Sequence, residues 1–301
     1  MQLPEFEWGF TLALLTNGVM IGLMYALIAL GFVLIYKATD AINFAQGEFV
    51  MFAGFIAAAM ASTVGLPFWV SALIGIVGMV ALGFGLERVV LRPLIGRPVI
   101  AVVMATIGLA AVLRGVSVVL FGASTLAITM PVGDEPINLG LVSVPPVQLV
   151  GALVSIAFLG IFTWFFLKSR TGIAMRAVAD SQQVAMAMGI NVRRYFALAW
   201  AMAGVVSAIG GIIWGAMLGV DNQLALVGLK VFPVVILGGL DSVMGAVVGG
   251  LVIGIVESLT SGYFDPIVGG GTKDFAPYVV MIIVLMIRPE GLFGRRLIER
   301  V

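Results

Sequence analysis

The stretch FTLALLTNGVMIGLMYALIALGFVLIY, residues 10–36, decides what kind of protein this is. It contains no Asp, Glu, Lys or Arg, and about 20 mostly apolar residues are enough for a helix to cross the hydrocarbon of a bilayer. The residues before it, MQLPEFEWGF, lack the positive start and small-residue cleavage site of a signal peptide. The run is therefore expected to be a retained span. Further apolar runs follow near 47–64, 67–89, 99–121, 147–167, 195–217, 227–240, 243–259 and 276–287. The fold expected is an all-α polytopic membrane protein of eight to nine hydrophobic segments, with at least one interrupted or re-entrant helix.

Composition agrees. Hydrophobic residues make up 61% and charged residues 10% of the chain, against roughly 45–50% and about 25% in soluble domains. Too few charges remain to cover a water-facing surface, so the outer surface must meet lipid. The chain has no cysteine and no histidine, which excludes a disulfide framework and removes the usual proton shuttle and commonest metal ligand. The net charge of +1 comes without a long basic run, so nucleic acid is not an expected partner.

Cytoplasmic loops carry the excess of Lys and Arg. Three clusters stand out: Arg88, Arg92 and Arg97; Lys168, Arg170, Arg176, Arg193 and Arg194; and Arg288, Arg295, Arg296 and Arg300. Placing all three in the cytoplasm makes 122–146, which is Pro-rich with Asp134 and Glu135, extracytoplasmic. The run 227–240 is short and stops at Gly238-Gly239, so it is read as the irregular one, joined to 243–259 in a single interrupted crossing over 227–259. The whole chain, 1–301, is expected to form one membrane domain. Small residues recur every fourth position at Ser207, Gly211, Gly215 and Gly219, and again at Ala246, Gly250, Gly254 and Ser258. Such stripes let another backbone approach closely, either within the chain or in another subunit.

Two segments are not lipid-like. The first, 39–48, gathers Asp40, Asn43, Gln46 and Glu48 between two apolar runs. Asp40 or Asn43 could cap a helix starting near Phe44, with Glu48 beside its positive dipole end. Transporter sites are often built at interrupted helices, which makes Asn43, Gln46 and Glu48 candidates for the wall of a translocation path. An ordinary capped turn is the other reading. The second segment, 168–194, is basic, with a helix expected over 173–188 that ends at Gly189. Ala174, Val178, Ala185 and Met188 fall near one face, which could dock on a cytoplasmic partner or lie on the membrane surface. Arg114, Lys230, Glu257 and Asp241 lie within or at the ends of apolar runs, where a charge needs a partner or water. Arg114 is expected to pair with Glu257 or another carboxylate. No Walker A, HExxH or GxSxG sequence is present, so no catalytic residue, metal site or enzyme activity is expected.

These segments carry a resemblance. Ile42-Asn-Phe-Ala-Gln-Gly-Glu-Phe-Val50, Met175-Arg-Ala-Val-Ala-Asp180, Ala187-Met-Gly-Ile-Asn-Val192, Val231-Phe-Pro-Val-Val-Ile-Leu-Gly-Gly-Leu240 and Arg288-Pro-Glu-Gly-Leu-Phe-Gly294 occur in order. With Asn17-Gly-Val and Tyr25-Ala-Leu, they resemble the permease subunits of branched-chain amino acid ABC importers, specifically the shorter H-type. The resemblance implies an ABC importer permease fold in a bacterial inner membrane. Its implied partners are a second homologous permease, two cytoplasmic ATPase subunits and an extracytoplasmic solute-binding protein. ATP and magnesium would sit on the ATPase subunits, with no cofactor on this chain. It also implies that the loop helix, with Ala177, Asp180, Ala185, Met188 and Gly189, couples to the ATPase. Leucine, isoleucine and valine are the implied solutes. Close relatives with the same motifs serve urea or short amides, and a stand-alone ion-coupled carrier is the rival from another class.

Overall fold

The computed structural model describes residues 7–294 apart from 96, 134, 139 and 141. Asp134, Arg295, Arg296 and Arg300 therefore lie outside the described residues. Every apolar run forms a helix. The first five are α1 (Trp8–Thr39), α2 (Gln46–Ser62), α3 (Phe68–Leu86), α4 (Val99–Phe121) and α5 (Pro146–Lys168). The polar loop forms α6 (Arg170–Asp180) and α7 (Gln182–Ala187). There follow α8 (Val192–Leu218), α9 (Leu226–Gly238), α10 (Val243–Tyr263), the short α11 (Asp265–Val268) and α12 (Thr272–Ile287). Between α4 and α5, β1 (Ile137–Asn138) and β2 (Ser143–Val144) pair antiparallel. Helices α1, α4, α5, α8 and α10, together with 68–94, are long and apolar enough to cross a membrane, and 46–62 and 222–238 are shorter apolar helices. The protein is a multi-pass membrane protein.

Two compact units form, one from residues 1–29, 132–157 and 229–301, the other from 30–131 and 158–228. In the second, α2, α3 and α8 pack together around Phe49, Met79 and Trp200, all fully buried. Glycine sets the contact distance. A Cβ at Gly83 of α3 would lie 2.5 Å from the Trp200 carbonyl oxygen, and one at Gly204 of α8 would strike the Met79 carbonyl. Gly211 meets the backbone of Val50 in the same way. Past α3 the chain takes a π-helical turn, Glu87–Leu91, then a 3-10 turn, Arg92–Leu94. Glu87, 1% exposed, accepts two hydrogen bonds from Arg92, at 2.8 and 3.2 Å.

In the first unit, α1 and α10 meet through glycines on both sides. A Cβ at Gly22 would lie 2.6 Å from the Gly250 carbonyl oxygen, and one at Gly18 would lie 2.9 Å from that of Gly254. Gly211 of the first small-residue stripe and Gly250 and Gly254 of the second thus make contacts inside the chain. Close backbone contact supplies the dispersion that lipid cannot compete for. Gly254→Leu is accordingly expected to abolish the folded protein in membranes, with no monodisperse peak in detergent. Gly85→Leu, where a Cβ meets nothing within 4 Å, is expected to leave that peak unchanged.

The segment 227–259 is not one interrupted crossing. Gly238 packs against Gly245, and Gly249 against the Val234 carbonyl, so α9 and α10 run antiparallel as a hairpin. Parity does not require a broken span: a chain leaving one membrane face and returning to it needs an even number of crossings, which α8, α9, α10 and α12 can supply. Irregularity sits within 222–238 itself, which opens as a 3-10 turn and carries Pro233 inside α9. Proline cannot donate to the carbonyl four residues back. That carbonyl, on Leu229, accepts instead from the Tyr278 hydroxyl of α12 at 3.0 Å. Before α12, Gly269, Gly270 and Gly271 all adopt positive φ. Asp265 closes this turn by accepting from the Thr272 hydroxyl and backbone N–H and from Ser261. The Thr272 hydroxyl, ahead of the other donors, holds the Asp265 carboxyl below its usual range.

Candidate functional site

The polar break at 39–48 is an organised knot. Asn43 and Gln46 are fully buried and Glu48 is 6% exposed. Asn43 Oδ1 accepts from the Ala45 N–H at 3.1 Å, and its Nδ2 donates to Gln46 Oε1 at 3.2 Å. Gln46 Nε2 then donates to Ser207 Oγ at 3.0 Å, and Ser207 donates to the Ala203 carbonyl of its own helix. The Phe44 N–H donates to Thr106 Oγ1 of α4 at 3.2 Å. The Asn43 and Gln46 amides and the Phe44 and Ala45 N–H groups thus find protein partners, as burial in a membrane core demands. The expected cap is not made: α2 starts at Gln46 behind Ala45 with no side-chain cap, and Asn43 instead accepts from the Ala45 N–H. Gly31 lies against the Gln46 amide with no room for a side chain, so α1 helps hold the amide toward Ser207.

Glu48, two residues into α2, bonds Arg114 of α4 at 2.6 Å. The Arg114 side chain is 52% exposed while that of Glu48 is 7% exposed. The pair therefore has one sunk member and one facing out. Arg114 meets a carboxylate as its position requires, but that carboxylate is Glu48 and not Glu257. On the next turn of α4, Ser117 donates to Asn222 Oδ1 at 3.0 Å.

Glu257 belongs to another cluster. Lys230 Nζ of α9 lies 3.0 Å from Glu257 Oε1 of α10 and 2.9 Å from Asp274 Oδ1 of α12. Tyr25 of α1 donates to the other Glu257 oxygen at 2.8 Å. Three helices are thus tied at one ammonium, and α1 joins them through Glu257. Lys230 and Glu257 can each be picked out as charges in apolar runs. Asp274 and Tyr25 cannot, because Asp274 precedes its run and a tyrosine in a span carries no signal of its own. Beside this cluster Asn17 bonds Ser258 and Gln148. Asp241 lies in the turn between α9 and α10.

The basic loop folds as two helices, not the single one expected over 173–188. Ser181 adopts an extended conformation and caps α7 through the Val184 N–H, as Ser169 caps α6 through Gly172. A serine side chain in this role satisfies an otherwise orphaned N–H and competes with helix continuation. Gly189, at φ +80°, ends the element, and Asn191 caps α8. Val178 and Ala185 are buried on the chain itself, at 2% exposure each. Ala185 thus faces inward, contrary to its placement on a docking face. Ala177 is half-buried, and Asp180 and Gly189 are exposed. The outward large apolar side chains are Ile173 on α6 and, around α7, Val184, Met186 and Met188, the last 77% exposed.

Residues 14–286 match the family model described as branched-chain amino acid transport system / permease component. The chain is 31% identical to the high-affinity branched-chain amino acid transport system permease protein LivH of Escherichia coli K12, over 95% of this chain and 96% of that one. It is also 31% identical to BraD of Pseudomonas aeruginosa, a permease protein described in the same words, over 95% and 97%. To a probable branched-chain amino acid transport permease of Methanocaldococcus jannaschii it is 28% identical, over 90% and 89%.

Proposed function

The chain belongs to the family of branched-chain amino acid transport permease components, and from that premise we propose that it forms half of the path by which an ATP-driven importer takes up leucine, isoleucine and valine. It is a transport permease component, not an enzyme. ATP with magnesium is bound and hydrolysed by two separate cytoplasmic ATPase subunits. A second homologous permease completes the path, and an extracytoplasmic binding protein delivers the solute. The complex sits in a bacterial inner membrane, with 122–146 outside and 168–194 inside.

The observation that carries this reading is the outward rim of Val184 and Met186 on α7 and Met188 just past its end. Three large apolar side chains protrude from a short helix and the residue that ends it, with Ser181 capping its start. A chain without a nucleotide site of its own needs such a surface for the subunit that has one. Met is suited to the task because its unbranched thioether adapts to an apolar groove. Ala177, Asp180, Ala185, Met188 and Gly189 make up the coupling element, with Ala185 as its inward anchor and Met188 as its contact. Movement of the docked loop passes into α8, whose buried face carries Ser207.

Of the three path candidates, Asn43 and Gln46 are fully buried and stand behind the wall of the path, and Glu48 reaches it through Arg114. The amides hold the start of α2 rigid, and Glu48 with the half-exposed Arg114 offers opposite charges to a zwitterionic solute. The test is uptake in cells. Deleting the gene is expected to remove uptake of labelled leucine and leave urea uptake unchanged; lost urea uptake with normal leucine uptake would overturn the assignment of substrate.

A further inference from the structure

Arg114 carries more hydrogen-bonding capacity than the chain uses. A guanidinium has five N–H donors in a planar fork, and among the described residues only Nη2 has a partner, Glu48 Oε1 at 2.6 Å. The Arg114 side chain is more than half exposed, yet it stands inside an apolar span. α4 ends at Phe121, which puts Arg114 about 10 Å from the nearer end along the axis. A charge at that depth is costly against lipid and faces protein or a water-filled passage instead. The free edge of the guanidinium therefore marks a side of α4 that does not meet hydrocarbon.

That side has a second character. Ile107 and Ala111 stand two turns and one turn before Arg114, and Val118 stands one turn after it, so all three share its face of the helix. All three are exposed, Ile107 by 44% and Val118 by 40%. The buried residues of α4, Thr106, Leu109, Leu113 and Ser117, lie on another face. A guanidinium with free donors is thus set in an aliphatic stripe. Glu48, its side chain 7% exposed, holds the guanidinium from behind. The chemistry that fits is a carboxylate on an aliphatic body, because a carboxylate meets the fork with two parallel charge-assisted bonds. The neutral carbonyl of urea or a short amide makes a weaker bond there.

We propose that Arg114 is the specificity-determining residue of the path: it receives the carboxylate of each aliphatic amino acid that passes, and Glu48 is its positioning residue. The proposal rests on the reading of the chain as a branched-chain amino acid permease. It adds to that reading the group that separates such solutes from neutral ones of similar size. Passage is the step affected, since another subunit captures the solute first.

The test uses the complete transporter in phosphatidylcholine liposomes, with binding protein and ATP. Uptake of labelled leucine is measured against rising 4-methylpentanoate, which is leucine without its ammonium, and isopentylamine, which is leucine without its carboxylate. The wild type is expected to be inhibited by the first at lower concentration than by the second. Glu48→Gln together with Arg114→Gln removes the guanidinium without stranding a buried acid. This variant is expected to unfold close to the wild-type temperature and to keep its partner subunits on purification. Its maximal uptake is expected to fall about tenfold, at an unchanged half-saturating concentration of loaded binding protein. Its inhibition by 4-methylpentanoate is expected to weaken by a similar factor, whereas inhibition acting through the binding protein would be the same in wild type and variant. Arg114→Lys keeps a charge for Glu48 but not the fork, and is expected to show a smaller loss of both. Equal inhibition of wild type and Arg114→Lys, or unchanged maximal uptake by the double variant, overturns the proposal while leaving the permease reading intact. Loss of the second permease from the double variant also overturns it, by placing the guanidinium against that subunit. A wild type that takes up no leucine at all overturns the permease reading instead.

Discussion

Lys230→Met is expected to leave little or no folded protein, because it strands Glu257 and Asp274 together without a cation. Both carboxylates lie within 3.0 Å of the Lys230 ammonium, and Glu257 is 7% exposed. Removing one partner of a buried ion pair typically costs about 3–5 kcal/mol, a large part of the roughly 5–15 kcal/mol that holds a domain folded. The loss here is compounded by repulsion between the two acids. Thermal unfolding in detergent is the measurement. The double substitution Lys230→Met with Glu257→Gln is expected to recover most of the loss, because a neutral amide keeps an acceptor for Tyr25 and leaves Asp274, whose side chain is 62% exposed, as the one unpaired acid. If Lys230→Met unfolds within a degree or two of the wild type, the cluster does not hold the four helices together.

The second large effect is functional. Met186→Asp together with Met188→Asp is expected to lower ATP-driven leucine uptake by at least about tenfold, since two charges would be desolvated in an apolar contact. Both side chains point away from the chain, at 58% and 77% exposure, so membrane insertion and folding should be unaffected. The matching readout is co-purification with the ATPase subunits, which should fall in parallel. Ala185→Asp is the instructive contrast. With Ala185 2% exposed, a charge there is expected to disorder the loop itself and lower the yield of folded protein. Full uptake by the double methionine variant would remove α7 from the docking surface.

The helices could be read from the sequence because most apolar runs are long, nearly free of charge and bounded by Gly, Pro or Lys and Arg. Lipid imposes that pattern locally, residue by residue. Pairings were not readable to the same degree. Arg114 signals that it needs a carboxylate, but only the packing of α2 on α4 makes Glu48 the one within reach. Likewise Lys230 and Glu257 each stand out alone, whereas their union with Asp274 and Tyr25 depends on how α1, α9, α10 and α12 meet. The division of the loop at Ser181 did have a local signal, a serine placed to cap Val184, but the good helix formers on either side concealed it. The hairpin of α9 and α10 was hidden for a different reason. Gly238, Gly239 and Gly245 suit a break within one span as well as they suit two helices in close contact.

The most direct test of the central claim is reconstitution of the purified chain, alone and with its permease and ATPase partners, in liposomes supplied with binding protein and labelled leucine. The account predicts that the complete assembly takes up leucine only when ATP is hydrolysed, and that the chain alone takes up none under any ion gradient. Leucine uptake by the chain alone, driven by a proton or sodium gradient without ATP, would contradict it.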